Sequence, residues 1–219
     1  MRIIVIFMLF TAGIAAYYFG SNNVPQHKRP HGVLVVAAPI EKEASLGPWK
    51  KAGYLITPIT TYNGHARVIE KFNPYFSSPS YSDQPTKLKE LSPYDLTVGW
   101  RELSDSSILE DIYFNHGGDI FDRRILYFSW KYCKHPDFVK TLLSTAPSER
   151  KFDHLHIIPA DKSVYDTLEK TANGDIIELN GYISDVKTPY KKDVFGDKTY
   201  SENSIPGKIL WLTELKIEQ

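Results

Sequence analysis

His154 and His156 stand two residues apart in the run FDHLHIIP over 152–159, so in an extended strand both imidazoles leave the backbone on the same side. Two imidazoles on one face can share a metal ion or frame one group of a substrate, provided further ligands arrive from elsewhere in the chain. His116, His135 and Asp161 are the candidates for those distant ligands. No second cluster with ligand spacing accompanies the pair. The plainer alternative, a buried and hydrogen-bonded His156 that fixes a strand-to-helix corner, is therefore favoured, and neither a metal centre nor a cofactor is expected.

A second group is Gly99-Trp100-Arg101-Glu102 followed by Ser104-Asp105. A turn that presents Trp100, Arg101 and Asp105 beside a helix N-terminus has the chemistry to bind an anion or a sugar, since free N–H groups and a guanidinium both favour negative charge there. The competing reading is a tight turn with a core tryptophan and a capping Ser104 or Asp105. Serine, histidine and aspartate are abundant enough for a triad to be drawn. However, the chain has no Gly-x-Ser-x-Gly elbow, Walker loop, dinucleotide Gly-x-Gly-x-x-Gly, His-Glu-x-x-His or cysteine pair. Catalysis is disfavoured accordingly.

The elements that must hold these residues follow from periodicity. Residues 152–186 read as strand, helix and strand joined without slack. Pro159 stops the first strand, and Ser163 can cap a helix whose Val164, Leu168 and Ala172 share one side, with Asn173-Gly174 ending it. From Asp175 the period falls to 2, with Ile177, Leu179, Gly181 and Ile183 alternating against polar residues. Gly174-Asp175 with Gly181 suits a turn and a sharply bent strand of a small barrel.

Upstream, residues 54–62 are β-branched and aromatic, with Pro58 arguing for a bulge or an edge. Asn63-Gly64 signals a hairpin whose return strand would be 66–70. Residues 73–93, with Pro74, Pro79, Pro85 and Pro93, form a long loop, and 187–207 form a second. Ser104 or Asp105 should start a helix with Ile108, Leu109, Ile112 and Tyr113 on its buried side. Residues 125–132 read as an aromatic strand covered on both faces, and Pro136 opens a short helix. A closing strand over 208–217 would put Ile209, Trp211, Leu215 and Ile217 on one face.

Lysine plus arginine equals aspartate plus glutamate at 26 each, so no basic excess points to nucleic acid. Cys133 is the single cysteine, which excludes an internal disulfide. Residues 3–19 carry no charge and end in Tyr17, Tyr18 and Phe19, like the aromatic belt of a membrane span. The expected organisation is a transmembrane anchor or signal segment over 1–20, a flexible tether over 21–32 and one β-rich soluble domain over 33–219. The expected fold class is α+β, a small, partly open barrel of the OB or SH3 kind with two or three short helices.

Three segments, GYLITPITTYNGHARVIEK, LSPYDLTVGWRELSDSSILEDI and HLHIIPADKSVYDTLEKTANGDIIELNGYISDV, in this order resemble an uncharacterised family of bacterial proteins with an N-terminal apolar segment. The resemblance covers residues 53–186. In the family pattern a Gly-Trp-Gly turn precedes Met-Ser-Asp, and Ser-Asn-Met-His precedes Ile-Pro-Ala. Here Arg101 replaces the second glycine, Leu103 the methionine and Asp153-His154-Leu155 the Ser-Asn-Met, so that His156 alone falls on the family's histidine. The resemblance implies common ancestry and carries no reaction, cofactor or partner with it.

The expected function is a non-catalytic, membrane-anchored binding or assembly module of the bacterial envelope. It would be single-pass in the inner membrane through residues 3–19, with its domain in the periplasm and another envelope protein as partner. One alternative is a hydrolase or metal-dependent enzyme centred on His154, His156 and Asp161. The other is an OB-like nucleic-acid binder, which the charge balance disfavours.

Overall fold

The computed structural model describes residues 32–73, 91–110, 112–118, 124–130, 151–187, 199–200 and 207–218. The segment expected to be an anchor, most of the expected tether, Cys133, the helix expected after Pro136 and the inner parts of both long connections lie outside the described residues. Among the described residues no helix is long and apolar enough to cross a membrane.

The strands are β1 (Ile40–Glu43), β2 (Trp49–Lys51), β3 (Tyr54–Phe72), β4 (Tyr94–Gly99), β5 (Ile112–Gly118), β6 (Arg124–Trp130), β7 (Phe152–Pro159), β8 (Ile176–Lys187), β9 (Thr199–Tyr200) and β10 (Lys208–Glu218). Between β4 and β5 lie a 3-10 turn, Arg101–Ser104, and one turn of helix, α1 (Ser106–Leu109). Helix α2 (Lys162–Lys170) joins β7 to β8. Five strands pair in the cyclic order β3-β4-β7-β10-β8 and back to β3, so the sheet closes into a ring. Every pairing in that cycle is antiparallel except β7 with β10. Strands β1 and β2 attach to β3, β9 attaches to β8, and β5 with β6 forms a separate two-stranded sheet.

The ring's interior follows from strand alternation. Leu96 and Val98 of β4, Leu155 and Ile157 of β7, Ile177, Leu179 and Ile183 of β8, and Leu210, Leu212 and Leu215 of β10 form one buried cluster with Tyr62, Ala66 and Val68 of β3. Val164 and Leu168 of α2 belong to the same cluster, so the helix closes one end of the ring. Asp161, and not Ser163, is the helix N-cap: its Oδ1 accepts from the Val164 amide at 3.0 Å. At the other end of α2, Gly174 takes φ +98, and its amide donates to the Val68 carbonyl at 2.7 Å. Gly181 must lack a side chain, because a Cβ there would lie 2.2 Å from the Trp211 carbonyl oxygen.

Four local expectations are corrected. Asn63-Gly64 is no turn: β3 runs through it, paired with β8 from Leu55↔Lys187 to Arg67↔Ile176 and with β1 at Asn63↔Ile40. Non-local pairing on both edges outweighs the local hairpin signal, and Gly64 instead permits a close crossing, since a Cβ would come within 2.9 Å of Pro39 Cα. The hairpin sits one step earlier, where Ala52 (φ +49) and Gly53 (φ +84) form a two-residue turn between β2 and β3.

The helix after Asp105 stops at Leu109, and Ile112 opens a strand whose Ile112 and Phe114 pack with Ile69, Leu103 and Leu109 outside the ring. Among the described residues the aromatic strand β6 pairs with β5 alone, in a two-stranded sheet rather than at the centre of the ring. In β10 a bulge between Leu212 and Glu214 shifts the alternation. Leu210, Leu212 and Leu215 consequently line the interior, while Ile209 and Trp211 pack outside with Tyr54, Ile56 and Ile158.

Candidate functional site

Strands β4 and β7 pair with Asp95 opposite His156 and Thr97 opposite His154. Because Leu96, Val98, Leu155 and Ile157 face the ring's interior, these four polar residues share its outer face. All four are buried there, Asp95, Thr97 and His156 completely and His154 nearly so. His156 Nδ1 lies 2.9 Å from Asp95 Oδ1, and His154 Nε2 lies 3.6 Å from Asp95 Oδ2. The imidazole rings meet edge to face at 4.6 Å between centroids. One ligand atom from each of Asp95, His154 and His156 lies within 4.8 Å of the other two.

The two histidines are thus brought together as their spacing requires, but the third member is Asp95. Asp161, expected as a distant ligand, is occupied at the α2 cap, and the side chains of His116 and His135 lie outside the described residues. Asp95 was missed because its partner strand lies far downstream; the hydrogen-bonded Asp95 and His156 are separated by 61 residues. A lone aspartate inside PYDLTVGW carries no signal of what its strand will face.

Gly207, just before β10, abuts the same cluster. It has φ +108, and a Cβ on it would come within 2.9 Å of the His154 carbonyl oxygen, 3.0 Å of His154 Nδ1 and 3.1 Å of His156 Nε2. The backbone re-entering from the second long connection therefore lies directly against both rings. Asp95 lies at the start of β4, where the first long connection returns.

The Trp100 group behaves as a corner. Trp100 is buried, and its indole Nε1 meets no acceptor among the described residues. Arg101 is exposed and adopts φ +52, a left-handed conformation for which glycine is the least costly residue. Asp105 is the N-cap of α1; its Oδ1 accepts from the Ser107 amide at 2.9 Å, the Ser107 hydroxyl at 2.8 Å and the Gly32 amide at 3.1 Å. Ser104 Oγ accepts from the amides of Leu34 and Val35 at 3.1 and 3.0 Å. Thus the polar groups of this corner hold the backbone that leads in from the N-terminus.

A second buried polar network, unforeseen in the sequence, crosses the ring. Asp153 Oδ2 accepts from the Tyr62 hydroxyl at 3.0 Å and from Lys208 Nζ at 3.2 Å, and Lys208 also reaches Glu41 Oε1 at 2.5 Å. Burial pushes the Asp153 carboxyl above the usual range, against the lowering pull of Lys208 and of the Tyr62 hydroxyl. Burial works to lower Lys208, but Asp153 and Glu41 outweigh it and hold the ammonium above its ordinary value. The Tyr62 phenol is raised well above its ordinary value by burial and then by Asp153.

No protein-family model, no curated protein and no solved structure matches the chain, so the reading of this site rests on its own geometry.

Proposed function

We propose that the chain is a membrane-tethered, non-catalytic binding or assembly module of the envelope, built on an OB-like barrel and held at the inner membrane by residues 3–19 with its domain in the periplasm. The cyclic order β3-β4-β7-β10-β8, with its single parallel pair and a helix joining β7 to β8, supports the OB reading. In that architecture the two long connections, 73–93 and 187–207, correspond to the loops that OB barrels use for recognition.

The observation that carries the binding reading is the edge of β1, which among the described residues pairs with β3 alone. All four of its residues are exposed, and it ends the strand order, so its outward backbone groups can take up another strand. Ile40 in β1 is 58 % exposed, and Val36 and Leu46, which flank the strand in sequence, are 74 % and 50 % exposed, more apolar surface than a solvated edge requires. The occupant proposed is an extended segment of another envelope protein.

The test is crosslinking of the full chain in intact cells of its host, comparing the native protein with Val36→Glu/Ile40→Glu. A discrete crosslinked partner that disappears in the double variant, with the melting temperature unchanged, supports the reading. A partner retained at native yield in the double variant, or a reporter fusion that places the domain in the cytoplasm, refutes it. The enzyme alternative draws on His154 and His156, and the nucleic-acid alternative on the OB topology. Single-stranded oligonucleotide binding at physiological salt would favour the latter despite the zero formal net charge.

A further inference from the structure

We propose that Asp95, His154 and His156 bind one divalent transition-metal ion of the zinc type, a site independent of the β1 edge. The ligand set is built by strand register: Asp95 lies opposite His156 on β7, and His154, two residues earlier, projects from the same face. An ion held at about 2.0–2.2 Å by imidazole nitrogen and carboxylate oxygen keeps tetrahedral ligand atoms roughly 3.2–3.6 Å apart. Asp95 presents Oδ1 to His156 Nδ1 at 2.9 Å and Oδ2 to His154 Nε2 at 3.6 Å, so both imidazoles face the one carboxylate. The three ligand atoms lie within 4.8 Å of one another, so binding one ion calls for side-chain rotations that draw them together.

The donor types select the class of metal. Two imidazoles and one carboxylate suit zinc, cobalt(II), nickel(II) or iron(II), whereas calcium and magnesium call for oxygen donors. All three residues are buried, and a dication offsets the cost of holding a carboxylate away from water. Gly207 closes the opposite side of the two rings, against His154 Nδ1 and His156 Nε2, leaving the nitrogens nearer Asp95 to the ion. Three protein donors leave one position of a tetrahedral ion to a further donor. The ion would join β4 and β7 at a point that the chain entering β10 also touches, so occupancy would stiffen the barrel where both long connections return.

The test uses the purified full chain, stripped with chelator and titrated with cobalt(II) and then zinc(II). The expected result is one equivalent of cobalt per chain, with the visible absorption of a four-coordinate ion, displaced by zinc. His154→Gln, at the least buried of the three, should weaken zinc binding by at least about 10- to 100-fold, the scale that even outer partners of ligands command. The apo melting curve of that variant should match the wild type. Asp95→Asn should weaken binding in the same way, and His65→Gln, at the exposed His65–Glu218 pair, should leave it unchanged. Absence of a stoichiometric ion in the folded wild type would overturn the proposal. So would an affinity unchanged in folded His154→Gln, which also decides the matter should Asp95→Asn fail to fold.

Discussion

The Tyr62 hydroxyl donates to Asp153 Oδ2 at 3.0 Å across the ring, joining β3 to β7 over a separation of 91 residues. Both side chains are buried, and among the described residues the carboxylate's other donor is Lys208. Removing the phenol oxygen deprives a buried acceptor of one donor, at a cost of about 1–3 kcal/mol. Tyr62→Phe should therefore lose about that much in urea unfolding with an unchanged m-value. A loss below roughly 0.5 kcal/mol would mean that Lys208 alone satisfies the carboxylate.

Lys208 gives that network a pH dependence. Its pKa in the folded protein lies above its ordinary value, so the folded state holds the proton more tightly than the unfolded chain does. The resulting stability is fully present below the unfolded pKa and is lost as pH rises through the higher, folded one. Unfolding free energy measured upward from pH 10 should fall more steeply in the wild type than in Lys208→Met. Equal slopes would show that Asp153 and Glu41 do not hold the ammonium.

Lys71 behaves in the opposite way. Its Nζ donates to the carbonyls of Leu168, Glu169 and Thr171 at the C-terminus of α2, while burial pulls its pKa down to about 8 against the raising influence of Glu169 and Asp175. Between that value and its ordinary 10.5 the unfolded chain binds more protons, so this residue's contribution makes stability rise with pH across the window. Its amine should also acylate faster at pH 8 than that of Lys162, which Asp166 holds above the ordinary value. Mass-spectrometric mapping after brief acylation checks the order. Faster labelling of Lys162 would contradict the lowered value, unless direct titration of Lys71 by NMR still placed it near 8.

The parts of the fold legible in the sequence are those whose signal is local and whose partner is near. The strand-helix-strand unit from β7 to β8 could be read because Pro159, Asn173-Gly174 and the change of period mark each boundary. The hairpin expected at Asn63-Gly64 failed because that signal competes with β8, paired from more than a hundred positions away. The same distance hid Asp95: His154 and His156 announce a shared face, but nothing in either segment states that β4 will pair with β7 in a register that puts Asp95 opposite His156. Likewise, a single bulge in β10 exchanged which leucines face the interior, and bulges leave no mark in a binary pattern.

Glycine positions separate what the turn chemistry requires from what it tolerates. Gly47 has no atom within 4 Å of a would-be Cβ, whereas at Gly181 that atom would sit 2.2 Å from the Trp211 carbonyl oxygen, inside the β8–β10 ladder. Gly47→Ala should change stability by less than about 0.5 kcal/mol. Gly181→Ala has to move backbone, and should cost more than about 3 kcal/mol or prevent folding. Thermal unfolding of the pair checks the ranking, and a stable Gly181→Ala would show that the β10 bulge can shift.

Arg101 provides the converse case, a residue that glycine should improve. It holds φ +52 between buried Trp100 and the 3-10 turn, and its amide donates to the Val35 carbonyl at 2.6 Å, so the conformation is fixed by the docking of the N-terminal segment. A left-handed backbone costs a residue with a Cβ about 1–2 kcal/mol, part of which a glycine returns as unfolded-state entropy. The side chain is exposed, so little packing is lost. Arg101→Gly should therefore stabilise the protein by roughly 0.5–1 kcal/mol. Chemical denaturation of the two proteins decides it. Destabilisation by Arg101→Gly would mean that the guanidinium makes a contact worth more than the strain, and would return Arg101 to consideration as a binding residue.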